Sequence, residues 1–420
     1  MERTGSSILF CAVSLAALVA LPGPASVSLA NSVARQGSTD SSYPAYPQTE
    51  PAADPAREQV IRRGEYLVKL GDCMACHTDT DHMGTPFAGG LKIATPFGDL
   101  FTPNITPDAK TGIGGWTDGE FVRAMREGVR PDGSYYYPVF PYNYFSKMSR
   151  DDVLSIRAYL DSIPPVDKPN QAQEMTWPFN YRFLQFGWRL LYFDFDEEAY
   201  TPDKSRSDAW NRGAFIVEGP GHCALCHTEL NSLGVPRSDY YLAGAFVEDY
   251  YAPDITSRGL EGLDDPDVAR IFSEDRMPTD APLGGPMADV EHNSLRYLTH
   301  DDALAVANYL RSVQSESPPV EDIGGTPLDR EAGKKLYEST CQVCHSVSAV
   351  GAPEVSNAQA WENLLNQGKD RLYEIAIRGD GVMPAKGGCP PCSDGRVKAA
   401  VDYMIDIATT ETRKSSTPTR

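Results

Sequence analysis

Eight of the nine cysteines fall into four Cys-x-x-Cys pairs, and three pairs are followed at once by histidine. These are Cys73-Met74-Ala75-Cys76-His77, Cys223-Ala224-Leu225-Cys226-His227 and Cys341-Gln342-Val343-Cys344-His345. Two thiols one helical turn apart can each add to a vinyl group of one porphyrin. The next residue then lies under the iron as its proximal ligand. Cys73, Cys76, Cys223, Cys226, Cys341 and Cys344 are therefore read as attachment points for three covalent haem c groups, with His77, His227 and His345 on the irons. A zinc site needs four ligands in one place, whereas these motifs begin at 73, 223 and 341. A redox dithiol needs neither the histidine nor the repetition.

The second axial position decides whether a haem carries electrons or does chemistry, and a methionine there favours electron transfer. Gly381-Val382-Met383-Pro384 places Met383 on a loop stiffened by proline. Two methionines compete after the second motif, Met277 in Met277-Pro278 and Met287 in Gly285-Pro286-Met287. After the first motif the corresponding loop, Tyr135-Tyr136-Tyr137-Pro138-Val139-Phe140-Pro141, has no methionine, and the nearest are Met125 and Met148.

The elements that must position these groups repeat. A shift of 150 residues brings Asn104-Ile105-Thr106 onto Asp254-Ile255-Thr256, Asp151-Asp152 onto Asp301-Asp302 and Tyr159-Leu160 onto Tyr309-Leu310. A helix-like stretch precedes each motif, starting at Gly64, Gly213 and Gly333. Helices with an Asp start signal close the first two units near Asp151 to Leu160 and Asp301 to Leu310, and Lys398 to Ile405 closes the third. The expected fold class is mainly α, with three tandem class I cytochrome c domains.

The ends and linkers follow from composition. Residues 1–30 read as a signal peptide, with Arg3, an apolar run from Ile8 to Leu21 and cleavage after Ala30. Cys11 would leave with it. Residues 31–57 read as a flexible lead-in. The domains are expected at 58–165, 206–314 and 329–408, with an aromatic connector at 166–205, a linker at 315–328 and a frayed tail at 409–420. The connector holds Trp177, Phe179, Tyr181, Phe183, Phe186, Trp188, Tyr192, Phe193 and Phe195. It reads as a segment packed across two domains, with a docking surface as the alternative. The formal net charge of −20 argues against nucleic-acid binding. It suits solubility, or docking on a basic or neutral surface.

The first two units resemble the cytochrome subunit of bacterial membrane-associated dehydrogenases. That group serves alcohol, gluconate, sorbitol and fructose dehydrogenases and molybdenum hydroxylases. The resemblance is carried by Gly64 to His77, Phe87-Ala88-Gly89-Gly90, Thr102-Pro103-Asn104-Ile105-Thr106, Gly112 to Trp116 and Phe121 to Gly133. In the second unit it is carried by Trp210 to Gly213, Gly221 to His227, Ala252 to Thr256 and Gly285 to Ala288. It implies Met287, not Met277, as the second distal ligand. Where many members carry a methionine, this chain has Phe140, which cannot ligate iron. Met148 is then the expected first distal ligand, with an open or water-bound iron as the alternative.

The third unit resembles a small soluble class I cytochrome c. No histidine follows Cys389-Pro390-Pro391-Cys392, so in an oxidising compartment that pair is expected as a disulfide beside the Met383 loop. The family often carries a C-terminal amphipathic membrane anchor; none is expected here, so membrane association is expected only through a partner. The implied role is a periplasmic electron-transfer subunit. A partner dehydrogenase of flavin, quinone or molybdenum type would supply electrons, and a quinone, soluble cytochrome or oxidase would take them. The alternatives are direct chemistry on peroxide or a sulfur compound at an open first haem, and a free-standing carrier.

Overall fold

The computed structural model describes residues 44–195, 199–247, 250–274, 283–318, 330–346 and 351–415. The signal-peptide reading, Met277 and most of the 315–328 linker lie outside the described residues. Helix α1 (Pro55–Leu70) opens the first unit. Its proline occupies the first turn, and the Asp54 carboxylate accepts from the Ala56 N–H. The short α2 (Cys73–Cys76) follows, then an antiparallel hairpin of β1 (Lys92–Thr95) and β2 (Gly98–Phe101). Helices α3 (Asp118–Glu127), α4 (Tyr142–Phe145) and α5 (Arg150–Leu160) complete the unit. Both α3 and α5 begin with reciprocal capping boxes, Thr117 with Glu120 and Ser149 with Asp152.

The connector adds β3 (Glu174–Met175) to the edge of β2, then forms α6 (Leu184–Tyr192). Its inner side packs on the first unit through Phe179 on Phe97 and Phe186 on Tyr135, and Trp188 donates to the Leu233 carbonyl of the second. Trp177, Phe183, Leu190 and Leu191 face outward. The connector therefore both bridges two units and leaves an apolar outer face.

The second unit runs α7 (Asp208–Glu218), α8 (Ala224–His227), β4 (Ala245–Val247), β5 (Tyr250–Ala252), α9 (Asp265–Glu274), α10 (Pro286–Asn293) and α11 (His300–Leu310). In the third, α12 (Arg330–Leu336) passes through a π-helical turn, Tyr337–Cys341, into α13 (Gln342–His345). Then come α14 (Ala358–Leu365), α15 (Lys369–Arg378) and α16 (Asp394–Ser415). Helix α16 is longer than the Lys398 to Ile405 stretch because no proline or glycine interrupts it after Gly395.

The same crossing recurs three times: α1 on α5, α7 on α11 and α12 on α16. Each crossing turns on one glycine. A Cβ at Gly64 would lie 1.8 Å from the Ser155 carbonyl oxygen, one at Gly213 would lie 2.0 Å from that of Ala305, and one at Gly333 would lie 2.1 Å from that of Ala399. Only a residue without a side chain lets the backbones approach so closely. Ion pairs staple the first two crossings, Arg63 to Asp152 and Arg212 to Asp302. The lead-in is pinned in part: Tyr46 is buried, and its hydroxyl donates to the Asn293 carbonyl at 2.7 Å. No helix among the described residues is long and apolar enough to cross a membrane.

Candidate functional site

Each Cys-x-x-Cys-His motif sits where an opening helix delivers it beside a closing helix. In all three, the histidine Nδ1 lies against a proline carbonyl: His77 on Pro103 at 2.8 Å, His227 on Pro253 at 2.7 Å and His345 on Pro353 at 2.9 Å. A carbonyl only accepts, so Nδ1 carries the proton and Nε2 keeps its lone pair for a metal. Burial, the larger influence, holds all three imidazoles below their ordinary pKa, which keeps them neutral as ligation requires.

The loops that carry these prolines match bond for bond in the first two units. Gly89 donates to the His77 carbonyl and Gly244 to that of His227. Buried Thr78 and Thr228 accept from the Phe87 and Leu242 N–H groups, at two residues held at positive φ. Asn104 and Asp254 then take the N–H and hydroxyl of the threonine two residues on. These Asx turns fix the adjacent proline carbonyls. The prolines stand within the repeated Pro-Asn/Asp-Ile-Thr stretches, but their role depends on a contact 26 residues away in the chain.

The six motif cysteines are unbridged. Burial pushes the Cys76, Cys223 and Cys341 thiols up to about 12 and Cys226 to about 11, and raises Cys73 and Cys344 as well. Such thiols are not the acidified thiolates of a redox pair. Among the described residues no group of three or more His, Cys, Asp or Glu side chains is placed to hold a metal ion by itself. Paired, unbridged thiols beside an imidazole with a free Nε2 fit a covalently attached haem.

The candidate distal ligands occupy different settings. Met148 is 1% exposed, in a core with Met74, Phe87 and Phe145 against which Cys73 and Phe140 also pack. Phe140 meets Phe145 edge-on and Tyr136 at a tilt. Met125 is a core residue on the inner face of α3. Met287 lies in the first turn of α10, after Gly285 at φ 57° and Pro286, and α10 packs against α2 of the first unit. Met383 packs, with Cys341, on the core that contains Cys389 and Cys392, in a tight turn where it and Asp380 exchange backbone hydrogen bonds. The Cys389 and Cys392 sulfurs are joined, both residues buried, and Lys386 caps the Cys392 carbonyl at 2.8 Å.

The second unit touches both others. His222 and Ser294 reach the end of α1, while the loop before Met287 presses Gly284 on Val343 and β5 meets the Tyr337–Cys341 turn.

Residues 329–404 match the family model described as cytochrome c oxidase, cbb3-type, subunit III. The chain is 35% identical to the cytochrome c subunit of alcohol dehydrogenase (quinone) from Gluconobacter oxydans, over 80% of this chain and 74% of that protein. It is 32% identical to the fructose dehydrogenase cytochrome subunit of Gluconobacter japonicus, over 85% of this chain and 81% of that one. Against a nicotinate dehydrogenase subunit from Pseudomonas putida it is 36% identical over 71% of its length, but spans 25% of that larger protein.

Proposed function

This chain belongs to the family of cytochrome c subunits of bacterial dehydrogenases, and from that membership we propose a three-haem electron relay serving a partner dehydrogenase. The observation that carries the count of three is the recurrence of one arrangement: paired cysteines, then a histidine whose Nδ1–H is given to a proline carbonyl. Bound haem c supplies a one-electron iron couple. The chain's residues do the rest. Cys73 and Cys76, Cys223 and Cys226, and Cys341 and Cys344 hold the porphyrins as thioethers. His77, His227 and His345 are oriented by their carbonyls, and the buried cores exclude water. Met148, Met287 and Met383 are assigned as distal ligands, and the Cys389–Cys392 bridge supports the Met383 loop.

The partner oxidises its substrate at its own flavin, quinone or molybdenum centre. The acceptor is a quinone, a soluble cytochrome or an oxidase. The leader at residues 1–30 supports a periplasmic location for the mature chain. Pyridine haemochrome analysis of the mature protein should return three haems per chain, retained through acid acetone. A count of two, or haem lost in acid acetone, overturns the reading.

A further inference from the structure

The first two units break the chain just before the motif, and the third does not. Helix α1 stops at Leu70, and Asp72 takes a left-handed φ of 48° before Cys73. The residue 150 positions later, His222, does the same at φ 36° before Cys223. In the third unit α12 runs into its motif through a continuous π-helical turn. A non-glycine residue in this region is held there by its surroundings.

The break in α1 leaves its last carbonyls without helical partners. Two of them are taken by side chains of the second unit. Ser294 Oγ–H donates to the Leu70 carbonyl at 3.2 Å, and His222 Nε2 lies 3.4 Å from the Gly71 carbonyl. Burial keeps His222 neutral, so a single Nε2–H suffices for that contact. Its ring is wedged against Phe145 and Tyr144 of the first unit, with centroids 5.9 and 6.4 Å away. Phe145 belongs to the core that contains Met148, and Cys73 packs on the same core. One side chain thus touches the segment that precedes the first motif and an aromatic residue packed in the first distal core, while adjoining the first cysteine of the second motif.

We propose that His222, aided by Ser294, is the positioning residue that fixes the first haem attachment site against the second. Direct one-electron exchange between these two sites depends on its contacts with Gly71 and Phe145. One iron is oxidised as the other is reduced, and no atom moves. The inference rests on the haem assignment above.

The test uses the full-length, haem-loaded chain. His222→Leu removes the donor and keeps a bulky apolar group, whereas His222→Gln keeps an N–H of similar reach. Haem content and low-spin spectra are recorded first, so a failure of the three-haem reading shows as a count below three in the unaltered protein. Exchange is then followed after a light-triggered one-electron pulse, together with the midpoint potentials. His222→Leu should slow exchange between the first two haems several-fold. It should also shift the first potential and leave the third unchanged, and His222→Gln should restore most of the rate. Unchanged exchange in His222→Leu, or equal slowing in both variants, overturns the proposal. If His222→Leu fails to take up haem, Ser294→Ala decides: slower exchange supports the clamp, and an unchanged rate rejects it.

Discussion

Met148 stands in as the proposed distal ligand of the first unit, where Phe140 cannot serve, and its surroundings make a sharp test possible. The side chain is fully buried among Met74, Phe87 and Phe145, so Met148→Ala would mix loss of packing with loss of a ligand. Met148→Leu preserves volume and removes only the sulfur. One of three haems should then become high-spin, read in the ferric optical and EPR spectra, and electron flow from a partner should fall without unfolding. An unchanged ferric spectrum and three unchanged midpoint potentials would remove Met148 as the ligand. Asp302 offers a second test at this scale. Burial pulls its carboxyl upward, but hydrogen bonds from Arg212 and Tyr66 outweigh that and hold it below the ordinary aspartate value. A carboxyl depressed in the folded state binds fewer protons there than when unfolded. Its stabilisation is therefore full above about pH 4 and lost as pH falls below that. Denaturant titrations across this range should show an acid limb that Asp302→Asn flattens, with about 1–3 kcal/mol lost at neutral pH.

At the scale of elements, the three helix crossings are the parts that must be built alike. Gly64→Ala would drive a methyl group onto the Ser155 carbonyl, which is backbone and cannot swing aside. The expected cost is about 1–3 kcal/mol, read as a lower melting temperature. Gly119→Ala on the open side of α3, where a Cβ meets nothing within 4 Å, is the control and should be neutral or slightly stabilising. Equal melting temperatures would mean that the crossing relaxes. The repeat of Gly64, Gly213 and Gly333 shortly ahead of each motif was legible in the sequence, because a glycine in the helix-like stretch before each motif is a local signal. The limits of the closing helices were less so: capped by Ser149 and Thr299, the first two begin at Arg150 and His300, one residue ahead of the Asp-rich start signals. The aromatic residues at 177–195 also did not reveal which would face inward. That depended on the Tyr135–Tyr142 loop, which α6 covers.

At the scale of the molecule, the second unit lies against both neighbours, and the groups that recur in all three units are the paired cysteines and the histidine given to a proline carbonyl, those proposed to hold haem. The isolated, haem-loaded chain should accept electrons from ascorbate. It should not oxidise alcohols, aldehydes or sugars, or turn over peroxide, unless the partner dehydrogenase is added. Steady turnover by the chain alone, measured with a dye acceptor, would favour chemistry at the first haem instead. The net charge of −20 should make reduction by a basic partner slow as salt is raised, since steering between exposed charges is screened.

What the chain declares about itself in one dimension is whatever its chemistry requires to be contiguous. Two thioethers and a proximal ligand must sit within one turn and the next residue, so Cys73 to His77 and its two counterparts are readable without a fold. The family resemblance is equally linear, running through the loops around Pro103 and Pro253. Tertiary structure decided everything that depends on distant segments meeting. Proline carbonyls orient His77 and His227 because Asx turns 26 residues downstream bring them there. Tyr46, read as part of a flexible lead-in, is buried because the second unit offers it the Asn293 carbonyl. His222 becomes a link between the first two motifs because α1 ends at Leu70 and leaves carbonyls that a neighbouring unit can reach. Helix termini and buried carbonyls must find partners, but no local rule states which residues, 151 and 224 positions away, will supply them.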